Sequence, residues 1–196
     1  MQPGAPSFSR DLFQPLATQR LSLRALVPAD ADFILAHFSD PDVCRFLKDA
    51  EPLASRDEAL GLIAHFSDPD RVRACRWGIC LANGGRLIGT IGFLHWDTHN
   101  RAAEIGFDLA RPWWGQGLMR EALMAVIPAA HAGLKLNRIW AVVHLDNQRS
   151  LSTLHRLGFA TEGVARELFR FRGAYHDHYC LSLLPRDWQA ASGGQA

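Results

Sequence analysis

Residues 101–133 constrain this chain more than any other stretch, because they read as a strand, a tight glycine turn and a helix in direct succession. In Ala102–Leu109, Ile105, Phe107 and Leu109 alternate with Glu104, Gly106 and Asp108, which is the period of a β-strand. Met119, Leu123, Val126 and Ala130 then recur at helical spacing. Between the two, Gly115 and Gly117 let the backbone turn sharply and leave bare N–H groups at a helix start, where the helix dipole also favours an anion. A phosphate or pyrophosphate suits such a turn. An ordinary strand-to-helix connection is the bland alternative. The turn lacks the Gly-Lys-Ser or Gly-Lys-Thr of a Walker loop, and Arg120 stands near where a dinucleotide fingerprint needs its third glycine.

The rest of the chain supplies a sheet for that unit to join. Residues 20–26 alternate and form the expected first strand; Pro28 and Asp30 then announce a helix burying Phe33, Ile34, Leu35 and Phe38. Asp40-Pro41-Asp42 should break it. A second helix is expected over residues 56–66, with Ala59, Leu62, Ile63 and Phe66 inward and residues 67–70 ending it. Strands at 76–81 and 86–94 flank Asn83-Gly84-Gly85, the strongest kind of short hairpin signal, and Ala102–Leu109 extends the meander. Pro128 falls inside the helix after the glycine turn, where a proline costs about 3 kcal/mol, so a kink or an early end is expected there, with Gly133 as cap. Arg138–His144 is apolar on both faces, as a covered parallel strand should be, and completes a right-handed strand–helix–strand crossover. A short helix capped near Asp146-Asn147 and ending at Leu157-Gly158-Phe159 precedes two last strands, 160–171 and 176–184, around Gly173.

With 196 residues, 48% of them hydrophobic, the chain has enough core for one α/β domain, placed at 18–188 between a loose arm (1–17) and a flexible tail (189–196). Its 21 basic residues against 20 acidic ones give nothing that favours nucleic acid or a membrane as partner. No apolar run approaches 18 residues and no signal-peptide core opens the chain. Cys44, Cys75, Cys80 and Cys180 show no paired spacing, which reads as reduced, mostly buried thiols of a cytoplasmic protein. His95, His99 and the His176-Asp177-His178 cluster lack an evident third ligand, so no metal is expected.

Glu104-Ile-Gly-Phe-Asp-Leu109, followed by Arg111-Pro-Trp-Trp-Gly-Gln-Gly-Leu-Met-Arg-Glu-Ala122, resembles the acetyl-coenzyme A (acetyl-CoA) loop of the GNAT N-acetyltransferases. The similarity is to the ribosomal-protein N-acetyltransferase (RimJ/RimL) branch. A second signature, Asn147-Gln-Arg-Ser150 ahead of Leu157-Gly-Phe159, lies one helix and one strand further on, where the family places a segment beside the pantetheine and sulfur of the coenzyme. The resemblance covers roughly residues 18–188. It implies a mixed, largely antiparallel sheet of six to seven strands with a splayed parallel pair and about four helices. It also implies acetyl transfer from acetyl-CoA to a primary amine by direct attack in a ternary complex, in a monomer or homodimer. A coenzyme-binding module that has lost catalysis is the rival from another class.

On this reading the amides of Gly115, Gln116, Gly117, Leu118 and Met119 hold the pyrophosphate, with Trp114 and Arg120 beside them. The edge of Phe107, Asp108 and Leu109 pairs with pantetheine like an added strand, and one of its N–H groups stabilises the oxyanion. Met119 is bulkier than the family's usual glycine or alanine. Glu104 is the general-base candidate, since a buried carboxylate is costly unless paired or used; a pair with Arg101 or Arg138 is its structural alternative. Ser150 is the candidate acid for the departing thiolate, carried over from the branch, against simple helix capping beside Asn147. Asn147 would cap the helix and bond to pantetheine. Trp96, Tyr175 and His176 are expected to ring the acceptor end, and Arg111 and Arg120 either assist the phosphates or stand solvated. The acceptor is a protein N-terminus or a small-molecule amine.

Overall fold

The computed structural model describes residues 13–47, 52–67 and 73–193. Among them one sheet runs through β1 (Leu16–Ala17), β2 (Leu21–Ala25), β3 (Cys75–Leu81), β4 (Leu87–Asp97), β5 (Ala102–Leu109), β6 (Arg138–His144), β7 (Ala160–Phe171) and β8 (Ala174–Leu183). The spatial order is β1-β2-β3-β4-β5-β6-β8-β7, and every neighbouring pair is antiparallel except β5 and β6. Six α-helices among the described residues accompany it: α1 (Ala31–Phe38), α2 (Pro41–Cys44), α3 (Arg56–His65), α4 (Leu118–Ala132), α5 (Gln148–His155) and α6 (Pro185–Gly193). None is long and apolar enough to cross a membrane.

The sheet is covered on both faces. Adjacent strand residues point to opposite sides, and Leu87 joins the smaller core with α1 and α3 while Ile88 joins the larger one with α4. The larger core packs Leu118, Ala122, Leu123, Val126 and Ile127 of α4 against Ile91, Phe93, Ile105 and Ile139 of the sheet. Cys75 and Cys80 sit in these layers, and burial pushes the Cys75 thiol up to about 12, which leaves it inert.

The element count among the described residues exceeds the expected six to seven strands and about four helices. Part of the arm is tied down, because Leu16 and Ala17 pair with Leu23 and Ser22, and Phe13 packs on Trp77 at 4.4 Å. Its first twelve residues lie outside the described residues, as do 68–70 of the expected second helix stop and 194–196 of the tail. Asp40-Pro41-Asp42 starts α2 as well as ending α1, since the Asp40 carboxylate accepts from the Asp42 N–H at 2.8 Å. The expected tail continues as α6 to Gly193, its start fixed by the Leu184 N–H on the Asp187 carboxylate.

Pro128 does not end α4, which runs on to Ala132, with Gly133 as its right-handed C-cap. The missing donor belongs to the Met124 carbonyl, and both residues lie on the exposed face, where water can replace it.

The decisive feature for function is how little β5 and β6 pair. Their register covers Ala102, Ala103 and Glu104 opposite Arg138, Ile139 and Trp140, and no further. Beyond Glu104, β5 stays with β4 and β6 with β8, so the sheet parts between them. β6 is accordingly not covered on both sides: Ile139, Ala141 and Val143 are buried, while Trp140 and Val142 are half-buried.

Candidate active site

The parted sheet opens into two connected spaces. A cleft of about 370 Å³ lies against the glycine turn and the start of α5, lined by Phe107–Leu109, Trp113–Gly115, Gly117–Arg120 and Asp146–Ser150. A chamber of about 620 Å³ lies on the side of α1 and α3, lined by Glu104, Phe38, Phe66, Leu94, Val142 and His144 among others. Phe46, Leu47, Phe107, Asn147 and Ser150 border both spaces. A molecule in the cleft can therefore meet one in the chamber at that junction.

The turn is built as its sequence demands. Gly115 and Gly117 have φ of +74° and +72°, and Gly117 is the left-handed N-cap of α4. The N–H groups of Leu118, Met119 and Arg120 that follow have no acceptor within the helix. Glu121, one turn in, accepts from the Thr18 hydroxyl (2.6 Å), the Arg20 N–H (2.9 Å) and the Arg20 guanidinium (2.5 Å). Arg20 also donates to the Gln116 carbonyl at 3.0 Å, so the strand start and the turn hold each other. The Gln116 side chain donates back to the Pro112 carbonyl and does not line the cleft. Trp114 donates its indole N–H to the Leu109 carbonyl at 2.6 Å, and the Arg149 guanidinium sits 4.3 Å over its ring. Arg149 and Arg156 join Arg120 in lining the cleft; neither stands out in the sequence without the fold. Arg111 is taken up by Asp42 at 2.5 Å. The roof around α2 is tied from the other side by Arg172, which donates to the Cys44 and Arg45 carbonyls.

Glu104 lines the chamber with only 3% of its surface exposed. His95 Nδ1 lies 2.8 Å from Glu104 Oε2, and the Arg138 guanidinium pairs with Glu162. Asn147 caps α5, accepting the Ser150 N–H at 3.3 Å, which leaves the capping role to Asn147 and Ser150 at the junction.

Four more of the expected site residues are placed as follows. The Asp108 side chain shares the face of Glu104 and is buried between Arg76, His37 (2.6 Å) and Thr90 (2.8 Å), so only its backbone is placed for a ligand on the strand edge. Burial alone would raise its pKa, but Arg76, His37 and Thr90 outweigh that and hold it at about 2. Trp96 is not at the acceptor end; a bulge turns it into the core, where it is 5% exposed. Tyr175 is 62% exposed and does not line the chamber. His176 reaches it indirectly, 3.3 Å from His144 and stacked on Phe171. Burial lowers the pKa of His144, against Asp146 and with His176 and Arg45, which favours a neutral ring in the chamber wall. Among the described residues, no three His, Cys, Asp or Glu side chains gather as a metal would require.

Residues 20–160 match the model of the acetyltransferase (GNAT) domain. This chain belongs to the GNAT acetyltransferases. It is 36% identical over 180 residues to YdaF of Bacillus subtilis strain 168, named for ribosomal N-acetyltransferase activity, covering 91% of this chain and 98% of that protein. It is 35% identical over 176 residues to N-acetyltransferase p20 of Bacillus licheniformis, covering 89% of this chain and 98% of that protein. Among solved structures, spermidine N-acetyltransferase from Vibrio cholerae, in complex with CoA and spermine, superposes with a TM-score of 0.77 at 25% identity, covering 87% of this chain and 99% of that one. The GNAT fold and the RimJ/RimL-like resemblance hold, with eight strands among the described residues. The chain is an acyl-CoA-dependent N-acetyltransferase.

Proposed function

We propose that this GNAT enzyme moves an acetyl group from acetyl-CoA to a primary amine by direct attack in a ternary complex. The junction at Phe107, Asn147 and Ser150 carries the reading, since it is where a thioester delivered along the cleft meets an amine held in the chamber. The amides from Gly115 to Met119 grip the pyrophosphate, and Arg120, Arg149 and Arg156 add positive charge beside them. The unpaired edge of Phe107–Leu109 takes the pantetheine arm as an added strand. A backbone N–H on that edge donates to the oxyanion of the tetrahedral intermediate. Glu104 removes a proton from the amine, and Ser150 returns one to the thiolate.

The chamber also bears on the acceptor. Its lining among the described residues is mainly aromatic and aliphatic, with Glu104 as the one carboxylate. A polyamine needs several negative charges along its length, whereas a protein N-terminus or a small monoamine presents one. Thiol release from acetyl-CoA, measured with an amine panel, should therefore favour N-terminal peptides and apolar monoamines over spermidine by about tenfold or more in kcat/KM. Double-reciprocal plots should intersect, as a ternary complex requires. Tight CoA binding with no turnover on any amine, or parallel plots, would refute the reading.

A further inference from the structure

We propose that His95 is the outlet through which the proton collected by Glu104 reaches solvent. The inference rests on Glu104 being the base, and on proton balance. A protonated amine gives one N–H proton to the Glu104 carboxylate, and its nitrogen then forms the C–N bond to the thioester carbon. As the C–S bond breaks, a second N–H proton goes to the thiolate, giving the amide and free CoA thiol. One proton per turnover is left on Glu104 and has to leave before the next amine arrives.

Glu104 cannot shed it readily by itself, because its side chain is only 4% exposed, and His95 against it is 64% exposed. The ring is held between two partners, Glu104 at 2.8 Å and the indole of Trp140, stacked at 6.0 Å. Its position is costly to build. Leu94 pairs with Glu104 and Asp97 with Ala102, so His95 and Trp96 together face the single residue Ala103. His95 is the left-handed member of that bulge, at φ +51°, a conformation that disfavours residues with a side chain. A strained residue that spans from a buried carboxylate to water is better explained by use than by packing.

The carboxylic acid formed at Glu104 Oε2 passes its proton to His95 Nδ1, 2.8 Å away. The imidazolium so formed loses its Nε2 proton to water and remains bonded to the carboxylate through Nδ1–H. Exchange with water on the exposed ring restores the starting tautomer. His95 is thus a relay that acts through Glu104 and does not touch the acceptor.

Stopped flow with a pH-indicator dye in weak buffer, run beside thiol detection, separates acetyl transfer from proton release. In the wild-type enzyme the two should coincide. In His95→Gly, which also relieves the strained φ, release should lag thiol formation and turnover should fall at least about tenfold, with added imidazole restoring both in a saturable way. His95→Asn, which keeps a polar side chain, should behave alike, and unchanged melting and CoA affinity would exclude a merely structural loss. Coincident release without imidazole in both variants would overturn the relay. Wild-type turnover in Glu104→Gln would instead overturn the base, a separate result; Glu104→Gln slowed and not rescued by imidazole supports both.

Discussion

Replacing Glu104 with glutamine should lower kcat at pH 7 about a hundredfold or more, the usual contribution of a positioned base, and leave the affinity for acetyl-CoA close to wild type. Glutamine keeps the shape and can hydrogen-bond either ring tautomer of His95, so the fold around the bulge between β4 and β5 is preserved. The deficit should depend on the acceptor. At pH 7 a terminal α-amine is about 1 unit from its pKa, which costs about 1.4 kcal/mol to deprotonate, whereas a lysine amine is about 3.4 units away, nearer 5 kcal/mol. A peptide N-terminus should therefore suffer less from the substitution than a lysine-like amine. For either, the gap should narrow as pH rises toward the pKa of the amine, because solution then supplies the neutral nucleophile. Steady-state rates from pH 7 to 9 with both acceptors check this. Equal rates for variant and wild type at pH 7 would remove Glu104 from the chemistry.

Most of the architecture was readable because it rests on short-range rules. Alternation in β2, β3 and β5, the Asn83-Gly84-Gly85 turn and the two glycines before α4 each restrict the backbone locally, and the local answer agrees with the fold. Alternation also put Asp108 on the same face as Glu104. What could not be read depends on departures from period. The bulge at His95 sends Trp96 inward and turns His95 toward Glu104, and no rule of spacing anticipates a left-handed histidine. The network of Asp108 with His37 and Arg76 joins residues 71 and 32 positions apart, which periodicity does not connect. The early helix end expected at Pro128 does not occur, since Pro128 lies on the exposed face of α4, where water can satisfy the carbonyl it leaves without a donor.

The largest stability effect should come from that network. Asp108→Asn keeps the side-chain shape but leaves the mostly buried Arg76 guanidinium without its counter-charge. Breaking a buried pair from one side typically costs about 3–5 kcal/mol, and the pKa offers a second estimate. A folded-state value of about 2 against an ordinary 3.8 corresponds to about 2 kcal/mol. Because the folded pKa is depressed, this stabilisation is complete above about pH 4 and is lost as pH falls toward 2. At pH 7 the variant should melt about 10 °C lower, and its stability should lack the wild type's decline between pH 4 and 2. The effect reaches the site as well, since Arg76 lines the acceptor chamber and spans Phe38 and Phe66, at 5.9 and 5.8 Å from their rings. Arg76→Met alone should cost a similar amount, by leaving the Asp108 carboxylate buried beside His37. The double variant removes both charges, so it should lose less than the sum by about 1–3 kcal/mol. Melting of Asp108→Asn within 2 °C of wild type at pH 7, or strict additivity in the cycle, would show that the carboxylate is not what holds this face of the chamber together.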